Sequence, residues 1–188
     1  MMKKLTILVM IATLIAFSAA QAQDYFEKGL IEIGGNIGFS SSGGDLYKNA
    51  AGDGQSSFSF APMGAYFLMD NLSLGGTVSY SSSSQGDNST SNLGIGPRVE
   101  YYWPEQMGPG FVYGSLSYTI NSGTVKFTGG STDMSGSSLR IAPGYFYAVN
   151  DKVGLTAELY FSMDSQDAGS GSASGSVFGL TIGFKMFK

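Results

Sequence analysis

Apolar side chains recur at every second position in eight stretches of this chain. In the stretch from Leu139 to Val149, Leu139, Ile141 and Tyr145 share one side, whereas Arg140 lies on the other. Successive side chains of a β-strand point to opposite faces, so a period of two predicts strands with one apolar and one small or polar face. The predicted strands cover residues 30–40, 58–68, 72–80, 93–103, 112–120, 139–149, 153–161 and 178–186.

The length and polar face of these strands favour a membrane protein. Soluble strands usually have about 5–6 residues, whereas a tilted membrane strand needs about 9–11, which is the length seen here. The polar faces carry mostly Gly, Ser, Thr and Ala, as expected around a narrow lumen. We therefore predict an all-β fold, an eight-stranded antiparallel up-and-down transmembrane β-barrel, in preference to a soluble secreted β-sandwich. A hydrophobic content of 43% argues against a disordered Gly/Ser-rich chain.

The connections between the predicted strands alternate in length. Residues 69–71, 104–110 and 150–152 are short and turn-like, and residues 41–57, 81–92, 121–137 and 162–176 are long and rich in Ser, Gly and Asp. Outer-membrane barrels have short periplasmic turns and long extracellular loops. The parity therefore places both chain termini on the periplasmic side.

The N-terminal segment has the features of a cleaved secretory signal. Lys3 and Lys4 precede an apolar stretch that ends near Phe17, and Ala20 and Ala22 form a small-x-small cleavage site. A membrane anchor is the alternative, but the apolar stretch is shorter than the roughly 20 residues of a spanning helix. We expect a signal peptide at residues 1–22, a barrel domain at residues 23–188, and export to the bacterial outer membrane.

Aromatic residues on the apolar face predict a girdle at each membrane interface. One set is Tyr66, Tyr101, Trp103, Tyr145 and Tyr147, and the other is Tyr80, Tyr118 and Phe161. Ordinary strand propensity is the alternative explanation. Three prolines at equivalent depths, Pro62, Pro97 and Pro143, predict a repeated bulge.

The run P-x-x-x-Y-F-x-x-D-N-L-x-L-G-G from Pro62 to Gly76 and the aromatic C-terminal strand carry a resemblance. From Gln23 to Lys188 the chain resembles the small outer-membrane β-barrel family of Gram-negative bacteria, the outer membrane protein beta-barrel domain related in form to OmpA/OmpX-type barrels. The resemblance implies a porin-like cell-envelope protein. Its expected partners are outer-membrane lipid, lipopolysaccharide and the barrel-assembly machinery, with an extracellular loop partner left open.

Six charged residues fall on the inward face of the predicted strands. They are Glu32, Arg98, Glu100, Arg140, Glu158 and Lys185. An eight-stranded barrel is just wide enough to be filled by side chains, and buried charges must be paired. We therefore favour a structural ion-pair network over an ion path or gate, with Glu100 or Glu158 as the partner of Arg140. Tyr102, Tyr113, Phe146 and Tyr160 are also predicted to point inward and help fill the lumen.

The residues that are missing limit the chemistry. There is no histidine and no cysteine, which excludes Ser–His catalysis, thiol chemistry and the usual zinc ligands. Without Lys3 and Lys4, 8 basic residues stand against 14 acidic ones, which argues against a nucleic-acid partner. Aspartates in the long connections match no EF-hand spacing. We expect no enzyme activity, no cofactor and no metal.

Three classes of function remain after these exclusions. The first is a non-enzymatic outer-membrane protein with a side-chain-filled lumen, which contributes to envelope integrity or to interactions of its surface loops. The alternative is a narrow pore or a channel for small hydrophobic molecules. A soluble secreted adhesin is a third class, which corresponds to the β-sandwich reading of the strand pattern.

Overall fold

A computed structural model describes residues 26–42, 53–168 and 171–188 of the chain. Within them, eight antiparallel strands form a closed barrel in sequence order. The strands are β1 (Ile31–Ser42), β2 (Gln55–Met69), β3 (Leu72–Gln85), β4 (Asn88–Met107), β5 (Gly110–Phe127), β6 (Gly130–Asn150), β7 (Val153–Ala168) and β8 (Gly171–Phe187). The described residues contain no helix long and apolar enough to span a membrane. The predicted signal peptide lies outside the described residues.

Pairing of the first and last strands closes the barrel. Residues Glu32 to Ile37 of β1 pair with Phe187 to Ile182 of β8. The backbones of Ile31 and Lys188 also exchange hydrogen bonds of 2.8 and 2.9 Å. All strands therefore have neighbours on both sides, and the predicted eight-stranded up-and-down barrel is confirmed.

The outer face of the barrel carries an apolar belt that ends at one level. Its last members are Phe39, Phe58, Tyr80, Leu93, Ile120, Leu139, Met163 and Phe178. The next position of the same phase is a serine on each of the seven strands β2 to β8, namely Ser56, Ser82, Ser91, Ser122, Ser137, Ser165 and Ser176. We call these seven positions the serine collar. On β5 the belt runs from Val112 to Ile120, a length suited to a tilted membrane strand.

Beyond the serine collar the strands continue as hairpins. β3 and β4 stay paired up to a turn at Gly86 and Asp87, and β5 and β6 up to Thr128 and Gly129. Gly86 and Gly129 have φ values of 58° and 100°, which glycine adopts without strain. The long connections at residues 81–92, 121–137 and 162–176 are thus mainly paired strand, although residues 169–170 are outside the description, as are residues 43–52.

The three prolines do not form bulges, so that prediction was wrong. Each pairs with a glycine of the preceding strand: Pro62 with Gly35, Pro97 with Gly76 and Pro143 with Gly114. On the other side, pairing is interrupted beside each proline but the register is kept. Proline lacks the N–H that this side of the ladder needs. The register shifts lie closer to the turns, between Phe67 and Met69 for example.

We call the end of the barrel that holds both termini and the three short turns the terminal end. The short turns are at residues 70–71, 108–109 and 151–152. The opposite end, beyond the serine collar, is the hairpin end. Side chains of alternate phase point into the lumen between the two, where the candidate site lies.

Candidate functional site in the barrel lumen

The structure brings the six predicted inward charges together in one chain of alternating sign. Five strands supply them: β1, β4, β6, β7 and β8. The order along the chain of contacts is Glu32, Lys185, Glu100, Arg98, Glu158 and Arg140. We call these six residues the ionic layer. Its three carboxylates and three cations balance.

Every junction in the ionic layer is a direct ion pair. Lys185 Nζ lies 3.0 Å from Glu32 Oε1 and 2.6 Å from Glu100 Oε2. Arg98 Nη2 lies 2.5 Å from Glu100 Oε1 and also contacts Glu158 Oε1. Arg140 Nη2 lies 2.9 Å from Glu158 Oε2. Of the two carboxylates considered for Arg140, Glu158 is therefore its partner, and Glu100 serves Arg98 and Lys185.

Neutral side chains donate further hydrogen bonds to the carboxylates. Tyr102 and Ser73 donate to the two oxygens of Glu32 at 2.6 and 2.9 Å. Tyr113 and Asn36 donate to Glu158 at 2.9 and 3.1 Å. The inward tyrosines were predicted from the sequence, whereas the roles of Ser73 and Asn36 were not. Both lie on the inward phase of their strands, as do many small polar residues, so nothing in the sequence distinguished them.

Aromatic rings also contact the cations. Lys185 Nζ lies 3.8 Å from the centroid of the Tyr113 ring, and the Arg140 guanidinium carbon lies 4.0 Å from that of Tyr160. Such contacts stabilise a cation when it is removed from water. The tyrosines thus support the charges as well as filling space.

Burial is uneven across the ionic layer. The side chains of Glu32, Glu100 and Glu158 are 0% exposed, and that of Lys185 is 1% exposed. Arg98 is 6% and Arg140 is 21% exposed. The carboxylates and Lys185 are therefore enclosed, and solvent reaches the layer at its two arginines, Arg140 above all.

A second layer, of aromatic rings, fills the lumen towards the terminal end. Its members are Phe26, Phe67, Tyr102, Phe111, Tyr113, Phe146 and Phe187. Phe26 is central: its ring stacks on Tyr102 at 4.0 Å and meets Phe111 edge-on at 5.0 Å. We call this the aromatic layer. Tyr102 and Tyr113 belong to it and also bond the ionic layer, so the two layers are continuous.

Phe26 precedes β1, and backbone hydrogen bonds hold its segment inside the barrel rim. The Phe26 carbonyl accepts from the N–H of Asn71 at 2.7 Å, and the N–H of Gly29 donates to Phe67 at 3.0 Å. Phe26 was not predicted from the sequence because it lies outside every periodic stretch. Phe187 was recognisable as an aromatic residue one position out of phase with the outward Met186.

On the hairpin side of the ionic layer lies an open cavity of about 250 Å³, which we call the vestibule. Its floor includes Arg98 and Arg140. Its walls are mainly hydroxyl and amide side chains, among them Ser79, Asn92, Thr119, Asn121 and Gln166. The lumen is thus filled on one side of the ionic layer and hollow on the other.

The predicted girdle residues lie on the outer face of the barrel. Tyr66, Trp103 and Tyr147 are exposed there near the ends of β2, β4 and β6, with Tyr101 and Tyr145 partly covered. The rings of Tyr101 and Trp103 meet edge-on at 5.5 Å. Tyr80, Tyr118 and Phe161 lie near the middle of β3, β5 and β7 because these strands extend past the belt. The girdle role of both sets stays a prediction.

Comparison with known proteins agrees with this geometry. Residues 9–185 match the family described as outer membrane protein beta-barrel domain. The chain belongs to this family. The members of this family and the structural neighbours of the chain are bacterial outer-membrane proteins. The apolar belt is therefore the lipid-facing surface that is expected in this family. No curated protein matches the chain at a significant level.

Solved structures of outer membrane proteins share the fold. Neisserial surface protein A is 17% identical with a TM-score of 0.59, and the match covers 85% of this chain and 97% of that one. OprG from Pseudomonas aeruginosa is 14% identical with a TM-score of 0.54, covering 89% and 99%. The β-barrel domain of Pseudomonas aeruginosa OprF is 15% identical with a TM-score of 0.51, covering 86% and 98%. At these identities the likeness concerns the fold alone.

The lipid-facing belt should reject charge. Leu116 lies on the outer face of β5 between Val99 and Ile141. Leu116→Arg should therefore lower the free energy of unfolding by about 2–4 kcal/mol, measured by urea titration in lipid vesicles. Leu116→Ala is the matched control and should cost less. Equal losses for both variants would contradict a lipid-facing position.

Proposed function

We propose that this protein is a non-enzymatic component of the bacterial outer membrane whose lumen is closed by its own side chains. It contributes to envelope integrity and presents its hairpins as an interaction surface. Its family consists of non-enzymatic outer-membrane barrels, and the chain has no histidine or cysteine. The two continuous side-chain layers carry this proposal.

The ionic layer and the aromatic layer together support closure. Five of their members are 0% exposed, namely Glu32, Phe67, Tyr102, Tyr113 and Glu158. An ion crossing the lumen would have to separate ion pairs that are mutually neutralised and then displace stacked rings. Breaking a buried pair leaves an uncompensated charge at a high free-energy cost. A static barrel with this interior would pass little current.

The proposal includes an orientation. In outer-membrane barrels the short turns face the periplasm, which places the terminal end there and the hairpin end outside the cell. The belt would contact lipid, and the serine collar would mark the level at which lipopolysaccharide headgroups begin. Removal of residues 1–22 and insertion by the barrel-assembly machinery are part of the same proposal.

The vestibule favours a second candidate, a narrow channel. Arg140 is the most exposed member of the ionic layer and lies at the junction between the hollow and filled parts of the lumen. If Arg140 acted as a gate, its movement would lengthen the vestibule towards the terminal end. The aromatic layer would still have to move, which is why we place this candidate second.

Planar-bilayer recording separates the two functions. We expect the purified barrel to show no sustained single-channel current, and Arg140→Met to lower the free energy of unfolding without creating one. A channel gated by Arg140 predicts the reverse, an unchanged unfolding midpoint in urea and a raised conductance. A stable, conducting Arg140→Met barrel would overturn the closed-lumen proposal.

A further inference from the structure

We propose that the vestibule is a binding site for a small carboxylate that also carries hydroxyl groups. The site goes beyond the proposed envelope role and rests on it in one respect, because the ionic layer forms the floor of the site. The ligand class follows from the charge of the floor, the donors that it offers, the lining of the walls and the size of the cavity.

The floor presents positive charge although the ionic layer is balanced overall. Arg98 and Arg140 line the vestibule, whereas none of Glu32, Glu100 and Glu158 does. Those carboxylates are fully enclosed beneath the arginines. A solute that reaches the floor therefore meets guanidinium groups first. A guanidinium suits carboxylates because its N–H groups match the geometry of the two carboxylate oxygens.

Arg140 has donors left over. Its Nη2 donates to Glu158 at 2.9 Å and to Thr181 at 3.1 Å. Its Nε is buried and has no hydrogen-bond partner among the described residues. A guanidinium carries five N–H donors, and an unpaired buried donor is unfavourable. An anion that binds Arg140 from the vestibule would add acceptors to a guanidinium whose donors are not all used.

The walls select for hydroxyl groups. Hydroxyl and amide side chains such as Ser79, Thr119 and Asn121 line them and can both donate and accept. Asp164 is also part of the lining, and Ser138 Oγ donates to its Oδ1 at 2.5 Å. A carboxylate in the wall repels a bare anion but accepts from a hydroxyl. The ligand therefore needs its charge at the floor and hydroxyls above it.

The size of the vestibule limits the ligand to a single small unit. At about 250 Å³ the cavity is smaller than the pockets of roughly 300–1,000 Å³ that enclose drug-sized molecules. A monosaccharide acid has the required combination of one carboxylate, several hydroxyls and small volume. D-glucuronate is a suitable probe, and D-glucose has the same ring without the charge.

Saturation-transfer NMR on the full barrel in detergent micelles tests the site. We expect D-glucuronate to receive magnetisation from the protein and D-glucose to receive much less. Thr119→Trp, which fills the vestibule from β5, should abolish the D-glucuronate signal. Ile120→Trp places the same side chain on the lipid face one residue later and should leave it unchanged. The proposal would be overturned if the unmodified barrel gave no D-glucuronate signal. It would also be overturned if the two sugars gave equal signals, or if the two variants did.

Arg140→Gln gives an independent measure of the charge. Loss of a charge-assisted hydrogen bond should weaken D-glucuronate binding by about tenfold or more. If this variant does not fold, the Thr119→Trp and Ile120→Trp pair still decides. Failure of D-glucuronate binding with no bilayer current would remove the site and leave the closed-lumen function intact. D-glucuronate binding together with a sustained bilayer current would keep the binding site and remove the closed-lumen function.

Discussion

Replacing Glu158 by methionine should lower the free energy of unfolding by about 3–5 kcal/mol. Glu158 is the most connected member of the ionic layer. Its Oε1 accepts from Arg98 and Tyr113, and its Oε2 accepts from Arg140 and Asn36. These donors come from four different strands. The variant keeps the volume of the side chain but leaves Arg140 without its carboxylate, which is why the cost is high.

A double variant distinguishes lost pairing from lost packing. Arg140→Met combined with Glu158→Met removes the stranded cation, while Arg98 keeps Glu100 as a partner. The double variant should therefore recover part of the stability that the single variant loses, as measured by urea unfolding in lipid vesicles. Glu105→Met, at an exposed position, is the control and should change stability by about 0.5 kcal/mol or less. A loss below 1 kcal/mol for Glu158→Met would contradict the structural role of the layer.

Phe26→Ala should destabilise the barrel by about 3–5 kcal/mol, the range for removing an enclosed phenylalanine. Phe26 is 2% exposed and contacts rings from β2, β4, β5, β6 and β8. The variant leaves a void where these rings converge. Thermal and urea unfolding of the refolded protein measure the loss.

The control for Phe26 is Phe127 at the tip of the β5–β6 hairpin. Phe127 is 46% exposed, so Phe127→Ala should cost about 0.5 kcal/mol or less. Similar unfolding midpoints for Phe26→Ala and the unmodified protein would show that the N-terminal segment does not fill the lumen. In that case the aromatic layer would no longer support a closed lumen.

The belt and the lumen charges could be predicted from sequence because both depend on phase alone. Leu139, Ile141 and Tyr145 alternate with Arg140 and its neighbours, and that alternation determines which side of the wall each residue occupies. The pairing of Arg140 with Glu158 rather than Glu100 depends on strand register and on the reach of each side chain. These are properties of the assembled sheet, so the sequence alone did not decide between the two possible partners of Arg140.

The extension of the strands beyond the belt could not be predicted for a different reason. Residues such as Ser82, Ser83 and Ser84 are small and polar on both faces, so the period of two disappears although the strand continues. Backbone pairing, which the sequence pattern does not report, holds β3 to β4 up to Gln85 and Asn88. Phe26 was missed because a single residue has no period.

The seating of Phe26 has a consequence for the order of assembly. Phe26 precedes β1, yet its ring packs on Phe187 at the end of β8, with 5.5 Å between the ring centroids. Contacts between such distant parts of a chain form late, since the whole intervening loop must first be closed. The aromatic layer should therefore form only after β8 has joined β1. Completion of the barrel and sealing of its terminal end would then be a single kinetic event.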